Sequence, residues 1–450
     1  MVLAVLVCKG SRTVLRLLHH GGTSLPGKLA LKVCPSLLRY LAEEVRVIIV
    51  SGTNGKTTTS RLVEQGLEQA GMPYFSNRSG ANLLAGITAE FAANAKWNGN
   101  PKFHAAVIES DEAALKQVVR FLTPEVLVIT NIFRDQLDRY GEVTHTLGNL
   151  KLAVEQIPDT ILCLNADDSL VVSIADGVPN PCVFYGLDVS AGETHDDELS
   201  DAMYCIRCKQ PYAYDYKTYG HLGGFRCRCC GYHRPETQVS VTEINDLAAN
   251  HSVVKLNIRG KIEEQKLELP AVYNLYNCVA AAAALDAFGI PEGQIRRSLH
   301  SANGFGRMEH FDIGSGVRMI LVKNPAGYTQ VLGYLEAMEE PFDLLCCLND
   351  RLADGTDISW IWDVPFERLL TLGDRLGTVN VAGTRWEELW VRLKYAGLDD
   401  EKLSAVEDYS TFVDALAQRS RPLVIVPTYT AMMELRPVLV KKTGGKAFWE

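Results

Sequence analysis

The stretch "VRVIIVSGTNGKTTTS", Val45 to Ser60, decides the fold. A β-branched apolar run reads as a buried strand, a glycine loop follows, and Lys-Thr-Thr-Thr opens a helical pattern through Leu62, Val63 and Leu67. Glycines let backbone N–H groups approach phosphate oxygens, and the helix N-terminus adds partial positive charge. Lys56 can reach the outer phosphates and the Thr57 hydroxyl can hold Mg²⁺. The spacing is G-x-x-G-K-T, with Val50 where the longer phosphate-loop pattern has its first glycine. Strand, loop, Lys-Thr and helix in register still predict a nucleoside triphosphate site on Gly52, Asn54, Gly55, Lys56, Thr57 and Thr58.

Outward from this loop, short strands alternate with helical patterns: AAVIE (105–109), VLVIT (126–130) and TILCLN (160–165). Such alternation predicts a parallel sheet with crossover helices and ligands at the carboxyl ends of the strands. Glu109 ends its strand and is placed as a second Mg²⁺-directed acid; the alternative is that it only caps the next helix. The pattern breaks between Leu199 and Glu236 and resumes at SVVKLNI (252–258) and VAAAAAL (279–285). After GFGRMEHF a second series follows, with MILV, FDLLCCL, LLTLG, VNVAG and LVIVP. The expected organisation is an α/β protein with a helical lead over 1–44, an ATP-binding domain over 45–305 interrupted by an insert at 201–237, and a Rossmann-like α/β domain over 306–450.

The insert carries Cys205-x2-Cys208, eighteen further residues, then Cys227-x2-Cys230. Two CxxC knuckles can present four thiolates to one tetrahedral Zn²⁺, organising a segment too small for its own core. Cys229 does not repeat the first knuckle and is read as a bystander. A closed four-thiolate site has no open coordination position, so its role is structural. Zinc ribbons also bind nucleic acid, and Tyr212, Tyr214, Tyr216 and Tyr219 could stack on bases. A net charge of −9 over 450 residues argues against that reading.

With 47% hydrophobic and 22% charged residues, the chain reads as ordinary globular protein, and disorder is not expected. No apolar run approaches the roughly 20 residues that span a bilayer. Twelve cysteines, many inside apolar runs, suggest thiols and metal, and hence the cytoplasm. Residues 1–46 hold seven Lys/Arg against Glu43 and Glu44. This basic lead is open to three readings: a surface for anionic lipid, one for a pyrophosphate-bearing substrate, or a helical face in water.

GTNGKTTT, Glu109, TNIFRDQLDRYGE (130–142), LNADD (164–168), YNLYNCVAAAAAL (273–285) and GRME (306–309) occur in the order and approximate spacing of the Mur ligases. The chain resembles these ATP-dependent amide-bond-forming enzymes, which are related to folylpolyglutamate synthases. The resemblance implies ATP and Mg²⁺ as ligands, and nucleotide or phosphate contacts from Asn131, Asn274 and Arg307. Many Mur ligases have a histidine where Gln136 follows Asp135, and glutamine cannot carry a positive charge.

The ribbon, together with "ADGTDISWIWD" at 353–363, resembles one branch, the MurT/GatD family. There a ligase-like subunit works with a GatD-like glutaminase to amidate the α-carboxyl of D-glutamate in the lipid II stem peptide, giving D-isoglutamine through an acyl phosphate. Lipid II lies at the inner membrane surface. No glutaminase nucleophile turn stands out in this chain. The resemblance implies that Asp357 supplies the carboxylate orienting the partner's histidine, with Asp354 the other candidate. The alternative is a conventional ligase adding an amino acid to a peptide or folate. In an extended strand Trp360 and Trp362 would share a face, as interface anchors or as core.

Overall fold

The structure, a computed structural model, describes residues 1–17, 24–77, 81–134, 143–190, 201–248, 251–300 and 308–443. Arg307 and the Asp135–Gln136 pair lie outside the described residues.

Two sheets carry the α/β fold. In the first, neighbouring strands run Lys261–Leu267, Ser252–Ile258, Val239–Leu247, Cys182–Leu187, Ile161–Asn165, Val126–Ile129, Arg46–Ser51, Ala105–Glu109 and Tyr74–Ser76. Seven of these, Val239–Leu247 through Tyr74–Ser76, pair in parallel, and the Lys261 and Ser252 strands add antiparallel edges. Arg46–Ser51 is central, and its alternation feeds both faces: Ile48 and Val50 join one apolar layer, Val47 and Ile49 the other. Its two neighbours, Ala105–Glu109 and Val126–Ile129, lie on opposite sides. Strand order therefore reverses at its carboxyl end, the place where open parallel sheets leave a crevice for ligands.

The second sheet runs Met308–Phe311, Val317–Ile320, Leu423–Pro427, Phe342–Cys347, Leu376–Ala382 and Leu403–Ala405. All its pairs are parallel except the first. LLTLG, expected as a strand, lies instead in the 3₁₀ segment Phe366–Arg375. Leu369 and Leu372 are both buried there, a three-residue spacing that suits a 3₁₀ turn and not a strand.

Three helices, Val2–Leu17, Ser24–Val33 and Leu37–Ala42, form the lead and pack Ala4, Val5, Cys8, Ala30, Leu37 and Leu41 into one apolar layer of the first sheet. The insert folds as a hairpin, Ala213–Tyr219 paired with Leu222–Arg226, beside the four cysteines. Among the described residues no helix is long and apolar enough to cross a membrane.

Candidate functional site

The helix Lys56–Gln69 begins on Gly55, which adopts the left-handed conformation and offers no capping side chain. Its first N–H groups are thus left for an anion. Gly52 has φ 122° and Gly55 φ 85°. A Cβ on Gly55 would stand 2.2 Å from Asn277 Oδ1, so only glycine fits there. Thr57 is exposed, and its hydroxyl donates to Glu109 Oε2 at 2.8 Å. The helix after Glu109 is capped by Asp111, which accepts from Ala113 N and Ala114 N. Glu109 therefore does not cap it, and its carboxylate sits on the loop threonine beside the cleft. Asn77 clamps the Glu109 backbone, donating to its carbonyl at 2.8 Å and accepting its N–H at 2.9 Å.

Lys56 donates to Glu112 Oε1 at 2.9 Å, and both side chains are almost wholly buried. Burial disfavours the ammonium, but Glu112 and then Glu109 overcome this and hold its pKa above the usual lysine value. Burial also pushes the Glu112 carboxyl up, and Lys56 and Lys323 pull against that rise. Sequence reading missed Glu112, although its signal was present as a third acid in Glu109-Ser110-Asp111-Glu112.

The loop is held from the neighbouring strand end. Asn131 Oδ1 accepts Asn54 N–H at 2.9 Å, and its Nδ2 donates to Asn54 O at 3.1 Å. Thr130 Oγ1 donates to the same carbonyl at 2.7 Å. Behind these, Asn165 Nδ2 donates to Thr130 O at 2.9 Å, and Asp168 accepts Ile132 N–H at 2.8 Å. The LNADD segment is thus a brace for the loop's support.

Asn54, Gly55, Thr58 and Asn131 face a cleft whose opposite wall, Ile320, Leu321, Ala326, Gly327 and Gln330, comes from the second sheet's domain. Asn324 links the two, donating to Asn54 Oδ1 at 3.2 Å while accepting Gly327 N–H at 2.8 Å as a helix cap. Asn324 follows a strand end, the position where parallel sheets place ligand-facing residues, and that signal could have found it. Asn274 stands one residue layer behind the cleft, donating to Pro270 O at 2.6 Å and accepting from Asn277 Nδ2 at 3.3 Å. The cleft wall itself bears Tyr273 and Asn277. Tyr219, at the tip of the inserted hairpin, lines this cleft and the adjoining one bounded by Arg134, Asp201 and Asp363. It stacks on Phe133 with ring centroids 5.6 Å apart.

Cys205, Cys208, Cys227 and Cys230 bring their sulfurs within 4.8 Å of one another, with Cys205–Cys230 at 3.5 Å and Cys208–Cys227 at 3.3 Å. Sulfurs about 3.8 Å apart are what a tetrahedral ion with Zn–S bonds of about 2.3 Å requires, so the group fits Zn²⁺. Within the group the first thiolate falls to Cys227, drawn down chiefly by hydrogen bonding from the Cys230 backbone, while Cys208 and Cys230 are pushed up beside it. Cys229 is exposed and outside the group. Arg234 ties the insert to the sheet through Asp167 at 2.5 Å and Asp188 at 2.7 Å.

In the Asp354-Gly355-Thr356-Asp357 turn, Gly355 has φ 89°, and the two acids differ sharply. Asp354 is buried and accepts the Thr430 backbone N–H at 2.7 Å and the Thr430 hydroxyl, at the start of the helix Tyr429–Thr443. Asp357 is half-buried, and its Oδ1 accepts Ser359 N–H at 2.8 Å. Just after it comes a 3₁₀ turn, Ser359–Asp363, and not an extended strand. Residues two apart on such a turn point to different sides, so the tryptophans separate. Trp360 packs toward Tyr328 in the core, whereas Trp362 is 51% exposed and meets Tyr395 edge-on at 5.5 Å.

Fold and site together define a Mur-type ligase: residues 50–285 match the Mur ligase middle domain, and residues 321–432 match the MurT ligase C-terminal domain. The chain belongs to the MurT family. It is 33% identical, over 98% of its length, to the lipid II isoglutaminyl synthase (glutamine-hydrolyzing) subunit MurT of Streptococcus pneumoniae, 97% of which is covered. It is 34% identical to the subunit of the same name from Staphylococcus aureus, with 98% of each covered. The fold is similar to that of MurF from Acinetobacter baumannii, with a TM-score of 0.67 at 18% identity, covering 92% of this chain and 80% of that one.

Proposed function

We propose that this chain is the ATP-dependent amidating subunit of a two-subunit lipid II isoglutaminyl synthase, acting on the α-carboxyl of D-glutamate to form D-isoglutamine. The observation that carries this reading is the pairing of an intact Gly55-Lys56-Thr57 loop with a turn in which Asp354 is committed to Thr430 and Asp357 is not.

A carboxylate resists attack because its charge repels nucleophiles and oxide leaves poorly. Transfer of the γ-phosphoryl group of ATP to a carboxylate oxygen forms an acyl phosphate and ADP. Ammonia's lone pair then attacks the carbonyl carbon, the C–O bond to phosphate breaks, and a proton is lost from nitrogen. Gly52, Asn54, Gly55 and Thr58 would cradle the phosphates, and Lys56 would hold charge on the transferring group. Thr57 and Glu109 would hold Mg²⁺, which neutralises phosphate charge when bound. Asn131 and Asn274 act by fixing the loop and the cleft wall, and the family resemblance adds Arg307 to the phosphate contacts.

The amine is ammonia released from glutamine by a GatD-like partner. Asp357 would orient and stabilise the partner's catalytic histidine, completing a Cys-His-Asp arrangement across the subunit boundary. Exposed Trp362 and Tyr395 nearby in the same domain suit an interface rim of aromatic anchors. Cys205, Cys208, Cys227 and Cys230 would hold Zn²⁺ and through it the hairpin bearing Tyr219. Incubating the chain and its partner with lipid II, ATP and amide-¹⁵N glutamine tests the reading, which expects label in lipid II. ATP turnover stimulated by one amino acid, with no dependence on glutamine or ammonia, would instead establish the conventional-ligase alternative.

A further inference from the structure

The N-terminal helix Val2–Leu17 is apolar on two sides, and among the described residues one of them is covered. Ala4, Val5 and Cys8 are buried against the fold. On the opposite side Leu3, Leu6, Gly10, Thr13, Val14 and Leu17 share one face by helical geometry, and all six are exposed. Leu3 is 64% exposed and Leu17 74%. No charge interrupts this stripe, which runs about 21 Å along the helix.

The border of the stripe is basic and aromatic. Lys9 lies over the Trp97 ring at 4.9 Å and also donates to Ala95 O. Trp97 is 64% exposed. The Met1 side chain packs on Gly99, so the helix and the Trp97 loop form one continuous surface. Lys96 and Lys102 flank that loop, which has no acid between Ala92 and His104. Glu90, a carboxylate beside the helix, is already paired with Arg12 at 2.8 Å.

We propose that this face docks the enzyme on an anionic phospholipid bilayer. Leu3, Leu6, Val14 and Leu17 would enter the headgroup boundary, Trp97 would lie at the interface, and the lysines would meet lipid phosphates. An uncharged apolar stripe with basic edges and an interfacial tryptophan is the chemistry of a helix lying in the membrane plane. An acidic protein partner would satisfy the lysines but not a stripe of this length without one charge. The assignment rests on the proposed lipid substrate only for its purpose, since it would hold the enzyme at the surface where a lipid-anchored carboxylate lies.

The test is co-sedimentation of the zinc-loaded full chain with vesicles free of lipid II, either phosphatidylcholine alone or with about one third phosphatidylglycerol. Leu3→Glu/Val14→Glu is compared with wild type, and thermal unfolding confirms that both are folded. Wild type should bind anionic vesicles, lose binding steeply as salt rises from about 50 to 500 mM, and bind at least about tenfold more tightly than the variant. Equal binding by the variant, or none by wild type, would overturn the proposal. So would a wild-type dimer in sedimentation velocity that the variant dissolves, because the face would then belong to a second copy. Amidation of detergent-dispersed lipid II, measured separately, should be the same in both proteins. Failure of that reaction in wild type would count against the proposed function and leave the vesicle result standing.

Discussion

Glu112 holds Lys56 at 2.9 Å inside the protein, one acid turning the phosphate-loop lysine into a fixed cation. Removing one member of a buried pair leaves the other charged in a poor medium, costing on the order of 3 kcal/mol. Glu112→Ala should therefore lower the unfolding midpoint by several degrees and reduce kcat/KM for ATP at least about tenfold. Glu112→Asp, which keeps the charge, should recover part of both. Thermal unfolding and steady-state kinetics read the two effects.

Thr57 and Glu109 make a second pairing at the mouth of the loop. Glu109→Gln keeps the size but removes the anion a hard cation prefers. The Mg²⁺ concentration needed for half-maximal activity should rise about tenfold or more, with little change in unfolding temperature. Titration of activity against Mg²⁺ at fixed ATP checks this.

The inserted hairpin joins the four-cysteine group, the proposed Zn²⁺ site, to the cleft beside the phosphate loop. Tyr219 is held by the hairpin, and the hairpin by the four cysteines and Arg234. Stripping the metal with a chelator, or replacing Cys227 by Ser, should release that wall. Affinity for a fluorescent ATP analogue should fall several-fold, and Tyr219→Ala should reproduce the loss with zinc still bound. Full nucleotide affinity in the metal-free protein would separate the ribbon from the cleft.

Asp354 and Asp357 should separate by phenotype. Asp354→Ala removes the acceptor at the start of the helix Tyr429–Thr443, a loss of about 2 kcal/mol. The effect should appear as reduced thermal stability, in the isolated chain as well as in the complex.

Much of this was legible in the sequence because it is written in local pattern. Val45 to Ser60 announces strand, loop and helix through β-branching, glycine and Lys-Thr, and all three stand as read. The cysteine spacing announces its cluster in the same way. What escaped notice depends on long-range packing. No spacing rule joins Glu112 to Lys56, Asn324 to Asn54, or Tyr219 to the cleft, since each pair spans a fold-back of the chain. The two tryptophans, open between interface and core in the sequence, part company because Ser359–Asp363 is a 3₁₀ turn, which an alternating pattern does not signal.

The central claim is that this chain lends Asp357 to a partner's glutaminase and itself amidates the substrate. The most direct test is the purified complex carrying Asp357→Asn, assayed with lipid II and ATP using either glutamine or free ammonia at high pH. The account predicts that glutamine-dependent amidation and glutamine hydrolysis both fall by about 10²–10⁴, as when an orienting carboxylate is lost from a triad, while ammonia-dependent amidation persists. Unchanged glutamine hydrolysis, or equal loss with both nitrogen sources, would contradict it.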